Sequence, residues 1–217
     1  MKKNILIVFI TFISISVNAQ EFKKEEKSIT CIFETTGKTK AEIFSSINKW
    51  ISLNYNSPKT VLQLNDAETG SIIIKGSNKQ GVKSPYKKFL PKSYQESSAF
   101  DYDINNFKHL IEIDIKDNKY RIRFTIMECI ENSSFATNSS EIFKSLNFID
   151  GSIDSVDYDV LTDAYLEAYL INKKHKESFK FILKPMLKEL NTALEESIKE
   201  TMFSIDTSVK SVKNDKW

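Results

Sequence analysis

The stretch "HLIEIDIKDNKYRIRFTI", His109 to Ile126, alternates apolar and polar residues on both sides of the dipeptide Asp117-Asn118. Such alternation is typical of a strand with one buried face, and a two-residue turn joins two such strands into a hairpin. Counting outward from the turn predicts these cross-strand pairs: Ile115 with Tyr120, Asp114 with Arg121, Ile113 with Ile122, Glu112 with Arg123, and Ile111 with Phe124. One face of the hairpin is wholly apolar, so we expect it to lie under helices.

The other face of this hairpin carries Arg121 and Arg123, the only arginines among 31 basic residues. In the predicted register each arginine faces an acid on the neighbouring strand. Cross-strand pairs of opposite charge contribute roughly 0.2–1 kcal/mol each. We therefore interpret the arginines as markers of strand register rather than as an anion-binding site.

A strand, a helix and two short strands are predicted upstream of the hairpin. Residues 28–35 alternate and are rich in β-branched residues, which is typical of a strand. "TKAEIFSSINKWISLNY" changes to helical period, and Thr39 with Glu42 forms a capping-box pattern at its start. The strands "TVLQL" and "SIIIKG" follow, separated by a turn in which Gly70 is predicted to take positive φ.

A loop insertion is predicted at residues 78–106, longer than a hairpin requires. Its first half is basic and contains aromatic residues, so it is a candidate surface for an anionic partner or lipid headgroups. The candidate interaction residues are Lys83, Tyr86, Lys87, Lys88, Phe89 and Lys92. The alternative is a solvated insertion whose aromatic residues are pinned to the sheet, because the acids of its second half neutralise the patch.

A helical extension is predicted at residues 157–205. A shorter helix runs to about residue 172, and a long one covers about 177–205, with Pro185 expected to kink it or to start a new segment. The apolar stripe of the long helix is spaced at three and four residues, which favours packing on the protein's own sheet over packing on a partner. Residues 206–217 are predicted to be a polar tail.

Four aspartates precede and begin this extension: Asp150, Asp154, Asp157 and Asp159. Alternating acids suggest calcium, but the EF-hand order of acids, glycine and terminal glutamate is missing. Asp157 and Asp159 are better explained as a cap and a first-turn charge of the next helix. We predict no metal and no cofactor.

Residues 1–19 have the pattern of a signal peptide. Two lysines precede the apolar run "ILIVFITFISISV", and "VNA" ends at a predicted cleavage site before Gln20. The chain is therefore predicted to be exported to the periplasm, the cell surface or the medium, and not to be transmembrane after cleavage. An uncleaved N-terminal anchor is the alternative. Residues 20–27 are charged and are predicted to be a loose leader.

Cleavage would leave a chain without net charge. The whole sequence has 31 basic and 29 acidic residues, and residues 1–19 contain two lysines and no acid. The balance of 29 against 29 lacks the basic surface expected of a nucleic-acid-binding protein. We predict no nucleic-acid partner.

Two cysteines and two histidines are the remaining residues with distinctive chemistry. Export makes a disulfide between Cys31 and Cys129 possible in principle, but strand parity puts them on opposite faces, which favours free thiols. His109 shares parity with apolar residues and is expected to be a strand-end residue with local hydrogen-bond partners rather than a catalytic base, and His175 lies in a solvated basic cluster. The sequence contains no Gly-x-Ser-x-Gly, phosphate-binding loop or His-Glu-x-x-His motif.

Residues 37–77 and the paired strands "IEIDIKDNKYRIRFTI" resemble domain of unknown function family 4468, which is described as having a TBP-like fold. The resemblance covers roughly residues 30–130 and implies an α+β fold of order β-α-β4-α, an antiparallel sheet with helices on one face and a long C-terminal helix. The whole domain is predicted to span residues 28–205. The family has no assigned activity, so the resemblance supplies no catalytic residues.

The expected function is a non-catalytic binding or interaction module of the bacterial cell envelope, with an envelope protein or another envelope component as partner. The alternative is an enzyme or small-ligand binder with its site between the loop at 78–106 and the open sheet face. A deep pocket with perturbed carboxylates would favour that alternative, and an exposed apolar patch of roughly several hundred Å² would favour a binding module.

Overall fold

The computed structural model describes residues 20–25, 27–131 and 157–211 of the chain. In this part the protein has one antiparallel sheet of six strands in the order β1-β2-β6-β5-β4-β3. The strands are β1 Lys23–Glu25, β2 Ser28–Glu34, β3 Leu62–Asp66, β4 Ser71–Lys83, β5 Tyr102–Lys116 and β6 Lys119–Glu131. The helices are α1 Lys40–Asn54, α2 Pro58–Val61, α3 Lys92–Gln95, α4 Tyr158–Ala168 and α5 Lys176–Ser211.

The hairpin of β5 and β6 has the register predicted from its turn. All five predicted pairs, from Ile115 with Tyr120 to Ile111 with Phe124, are confirmed. Asn118 takes the positive φ (64°) that the tight turn requires. The turn also holds the start of α1, because the Asp117 carboxylate accepts a hydrogen bond of 2.7 Å from the Lys40 amide.

Strand β4 is twice as long as the segment "SIIIKG" suggested. It pairs with β5 without interruption from Ser71 opposite Asp114 to Lys83 opposite Tyr102. Much of the predicted loop at 78–106 is therefore strand. The true connection is residues 84–101, which contain α3 and two 3₁₀ turns, Lys87–Phe89 and Ser98–Phe100.

The helices cover one face of the sheet. Helix α1 starts with the predicted capping box, in which Thr39 and Glu42 satisfy each other's backbone amides. The predicted stripe of α5 is buried: Phe179, Leu183, Leu187, Leu190, Leu194, Ile198, Met202 and Ile205. The indole of Trp50 on α1 donates a 2.9 Å hydrogen bond to Ser204 on α5, so the two helices form one layer.

Helix α5 differs from the prediction at two points. It continues through Pro185, so no new segment starts there. It also extends to Ser211, six residues into the predicted polar tail, because Asp206 and Val209 are buried against the sheet. Residues 212–217 lie outside the described part.

Residues 20–25 are not the loose leader that their charge suggested. Lys23–Glu25 pair with β2 as an edge strand. The Phe22 ring packs against Phe203 of α5 at 5.4 Å, and the Lys24 ammonium lies 2.6 Å from the Glu195 carboxylate. These contacts tie the start of the described chain to the last helix. The predicted signal peptide at 1–19 lies outside the described residues.

Candidate functional site

The sheet face opposite the helices is open to solvent. Alternation puts one side chain in two on this face, and the large exposed apolar residues among them are Ile32, Leu64, Tyr102 and Ile104, each at least 40 % exposed. Ile32 lies on β2, Leu64 on β3, and Tyr102 and Ile104 near the start of β5, so a partner that lay across the sheet would cover all four. The open face is therefore the first candidate site.

Both arginines of the open face are paired with acids. The Arg121 guanidinium lies 2.6 Å from the Asp114 carboxylate, as the register predicted. Arg123 faces Glu112 across the strands, but its ion pair is with Glu25 of β1, at 3.5 Å. The predicted register of Glu112 and Arg123 is confirmed, but the predicted ion pair between them was wrong, because strand β1, which supplies the competing carboxylate, was not foreseen.

A cleft of about 680 Å³ lies at the hairpin turn, at one end of the open face. It is lined by Ile32, Lys40, Thr69, Asp114, Ile115, Lys116, Asp117, Lys119, Tyr120 and Arg121. Its carboxylates are already occupied, because Asp114 pairs with Arg121 and Asp117 accepts from the Lys40 amide. The cleft therefore does not present a free acid for general acid–base catalysis.

The carboxylates with clearly shifted pKa values are all held in the ionised form. A hydrogen bond from Lys180 lowers the pKa of Asp159, and hydrogen bonds within the turn before Gly70 lower that of Asp66. Burial opposes the shift at Glu195, yet hydrogen bonds from Lys199 and Lys24 lower its pKa. Hydrogen bonding to Lys23 lowers that of Glu25. A general acid at neutral pH needs the opposite shift.

A polar cluster lies on the helix face, between β2, β6 and α5. The buried Tyr120 hydroxyl donates a 2.9 Å hydrogen bond to Asp206, and the Lys210 ammonium lies 2.7 Å from the same carboxylate. Burial, with Asp206 nearby, raises the pKa of the Cys31 thiol to about 11, so the thiol is protonated and unreactive. The cluster is a closed structural link between helix and sheet.

Cys31 is a free, buried cysteine. It faces Ile122 on β6, whereas Cys129 lies seven residues farther along that strand, a distance of about 20 Å at the usual rise per residue. A disulfide requires Cα atoms within about 7 Å. The sequence-based preference for a free Cys31 thiol is thus confirmed, while the side chain of Cys129 is outside the described part.

His109 is buried under the helices, 1 % exposed, with its ring 4.5 Å from that of Phe124. Neither ring nitrogen has a hydrogen-bond partner among the described residues, contrary to the expectation of a locally satisfied histidine. A Cβ at Gly76 would lie 2.7 Å from its Nε2 atom, which shows how closely the backbone of β4 approaches the ring. Burial lowers the pKa of His109 to about 4, against a smaller opposing effect of the Phe107 backbone.

This histidine is expected to make the fold acid-sensitive. The pKa of His109 in the folded protein lies below the ordinary value of 6.5 that it has in the unfolded chain. Its contribution to stability is therefore complete above about pH 6.5 and is lost as the pH falls toward 4. Between about pH 7 and pH 5 the loss amounts to about 2 kcal/mol. Urea unfolding at both pH values should show this loss in the wild-type protein and a much smaller one in His109→Phe. Equal losses of unfolding free energy in the two proteins would show that His109 is not the cause of the acid sensitivity.

The predicted loop surface is divided by the structure. Tyr86 is buried, with its ring 5.9 Å from Tyr165 and 5.7 Å from Phe179, and Phe89 lies 6.3 Å from Phe179. Lys87 pairs with Asp101, and Lys88 lies over the Phe89 ring. Lys83 and Lys92 remain exposed. The aromatic residues hold residues 84–101 against the helices. The alternative interpretation also had them anchored to the fold, but it placed them on the sheet.

The acids that suggested calcium act as helix-terminal residues where they are described. Asp157 caps α4 by accepting from the amides of Asp159 and Val160, and Asp159 pairs with Lys180 at 2.6 Å. This confirms the capping interpretation for both residues. Asp150 and Asp154 lie outside the described residues, and within the described ones no group of three potential ligands could hold a metal ion.

This chain is similar to proteins of known family or known structure. Residues 30–129 match the family described as "Domain of unknown function (DUF4468) with TBP-like fold". A solved TBP-like protein from Parabacteroides distasonis has a TM-score of 0.53 at 14 % identity, over 88 % of this chain and 97 % of that one.

A second solved DUF4468 family protein, from Bacteroides ovatus, has a TM-score of 0.49 at 13 % identity, over 93 % of this chain and 95 % of that one. No curated protein is significantly similar to the chain. The Parabacteroides structure confirms the TBP-like α+β fold, with its antiparallel sheet and long C-terminal helix, and at this identity it shows the fold alone. Within the described residues, no helix combines the length and apolarity needed to cross a bilayer.

Proposed function

We propose that this protein is a non-catalytic, exported binding module of the bacterial cell envelope, which docks a partner protein of the envelope on the open face of its sheet. The carrying observation is the solvent-exposed apolar set on that face, Ile32, Leu64, Tyr102 and Ile104. Covering these side chains with a partner would remove apolar surface from water, which favours association by about 25 cal/mol per Å².

The arginines of the open face support the same proposal. Arg121 and Arg123 are paired with acids of this protein, so they would remain balanced under a partner without costly desolvation of a lone charge. The export half of the proposal rests on the pattern of residues 1–19.

The small-ligand alternative has less support. It places a site between residues 78–106 and the open face, yet the aromatic residues of the connection pack toward α4 and α5 on the opposite side. The cleft at the hairpin turn lies at the far end of β5 from that connection. No specific observation favours a catalytic function.

A photo-crosslinking amino acid in place of Ile104 tests the proposal in the native host. Irradiation should give one discrete adduct in the envelope fraction, and the mature protein should begin at Gln20. The matched control replaces Leu53, which is 74 % exposed but lies on α1, away from the open face. An adduct from both positions, or from neither, would refute the docking face, and recovery from the cytoplasm would refute export.

A further inference from the structure

The outer edge of β4 is only half covered. Strand β3 pairs with β4 from Ser71 to Ile74 and ends there. Beyond that point, Lys75–Lys83 pair with β5 on one side and have no neighbouring strand on the other among the described residues. Nine residues of strand edge are therefore open at the side of the sheet.

The direction of the backbone groups on this edge follows from two hydrogen bonds. The Ile115 amide donates to the Gly70 carbonyl at 2.8 Å, and the Ser84 amide donates to the Asp101 carbonyl at 2.9 Å. Antiparallel pairing alternates, so the even-numbered residues between them point their N–H and C=O groups at β5. The odd-numbered residues 75, 77, 79, 81 and 83 point theirs outward.

The same odd-numbered residues place their side chains on the open face, and the lysines among them carry the charge of the edge. Lys75, Lys79 and Lys83 are exposed and have no ion-pair partner among the described residues. Two copies of this edge side by side would bring lysines together, which is unfavourable. A strand with carboxylates on the matching face would complement them.

An apolar groove of about 540 Å³ begins where this edge ends. It is lined by Lys83, Ser84, Pro85, Phe181, Ile182, Pro185, Met186 and Glu189. Phe181 is 82 % exposed, the largest exposed fraction among the large hydrophobic residues of the described chain. An open edge that leads into an apolar pocket is the arrangement by which domains bind extended peptides, with backbone bonds for affinity and the pocket for specificity.

We infer that an extended, acidic segment of a partner protein adds to β4 as a further strand, with its backbone bonded to residues 75–83 and one large apolar side chain in the groove beside Phe181. This rests on the proposed function, whose partner it describes: a segment with carboxylates on alternate positions and a Leu or aromatic residue at one end. The competing explanation, that the lysines only protect the edge from other strands, leaves the exposed Phe181 groove without a role.

Selection of random twelve-residue displayed peptides against residues 20–217 tests the inference. Enriched peptides should combine alternate acids with one large apolar residue. Their affinity should fall at least tenfold in Phe181→Ala and in Lys79→Glu, and should be lost in Ser77→Pro, which removes an outward N–H and leaves the β4–β5 pairing intact. Lys49→Glu, which makes the same charge change at an exposed lysine of α1, away from this edge, is the matched control and should bind normally.

Enrichment of no peptide, or of peptides that bind Ser77→Pro as well as wild type, would overturn the inference, provided circular dichroism shows the variant folded. If Ser77→Pro does not fold, peptide affinity in Phe181→Ala takes its place as the test, because the Phe181 side chain is exposed and its removal should not affect folding. The Ile104 crosslink separates the two proposals: an adduct that persists in Ser77→Pro and Phe181→Ala keeps the docking face and refutes the edge. Peptide binding at the edge without any envelope adduct refutes the proposed function alone.

Discussion

Phe179→Ala is expected to lower the free energy of unfolding by about 3–5 kcal/mol, a large part of the stability of a domain of this size. Phe179 is fully buried on α5, and its ring lies 5.7 Å from Tyr86, 5.6 Å from Tyr165 and 6.3 Å from Phe89. It therefore joins α5, α4 and the 84–101 connection, and its loss leaves a cavity among rigid rings. Urea unfolding should show a lower midpoint.

Phe181→Ala is the matched control, because it removes the same side chain two residues along the same helix. Phe181 is 82 % exposed, so its removal should change the unfolding free energy by about 0.5 kcal/mol or less. Similar losses in the two variants would show that α4 and the connection do not pack on Phe179. The small effect on stability is also what makes Phe181→Ala suitable for testing the groove.

Gly70→Ala is expected to cost about 2–4 kcal/mol, the sum of a strained backbone and a steric clash. Gly70 has a φ of +77°, and a Cβ there would lie 2.6 Å from the Ile115 carbonyl oxygen. The Ile115 amide donates to the Gly70 carbonyl, so relief of the clash would disturb the first bond between β4 and β5. Thermal or urea unfolding measures the loss.

Gly37→Ala separates the two causes of this loss. Gly37 also has a positive φ, +83°, but a Cβ there would meet no atom within 4 Å. Only the backbone strain should remain, about 1 kcal/mol. If Gly37→Ala were as destabilising as Gly70→Ala, the close approach to Ile115 would not be the reason for glycine at position 70.

The parts of the fold that depend on neighbours in sequence were predictable. The turn at Asp117-Asn118 sets the hairpin register, because the side-chain period of a strand leaves no freedom once the turn is placed. The capping box at Thr39 and Glu42 satisfies its amides within four residues. The buried stripe of α5 follows directly from its spacing of three and four residues.

The candidate site was less predictable, because its residues acquire their role from segments that are distant along the chain. "SNKQGVK" has the composition of a loop, yet it is the second half of β4 because β5 pairs with it to Tyr102. In the sequence, Phe181 is one residue of an amphipathic helix. The groove that it lines is formed only when the fold brings Lys83 and Pro85 next to it. Tyr86 was predicted to be a surface residue and is buried under α4 and α5.

By itself, the sequence determined which residues alternate, where the tight turns lie and which helix face is apolar, because these properties depend on backbone periods and short-range hydrogen bonds. The tertiary structure decided that Lys23–Glu25 add a strand at one edge of the sheet and that, within the described residues, β4 has no neighbouring strand beyond Ile74 at the other. It also decided that Arg123 pairs with Glu25 rather than Glu112. These outcomes depend on which distant segments compete for the same strand edge or carboxylate, a competition that only the folded chain resolves.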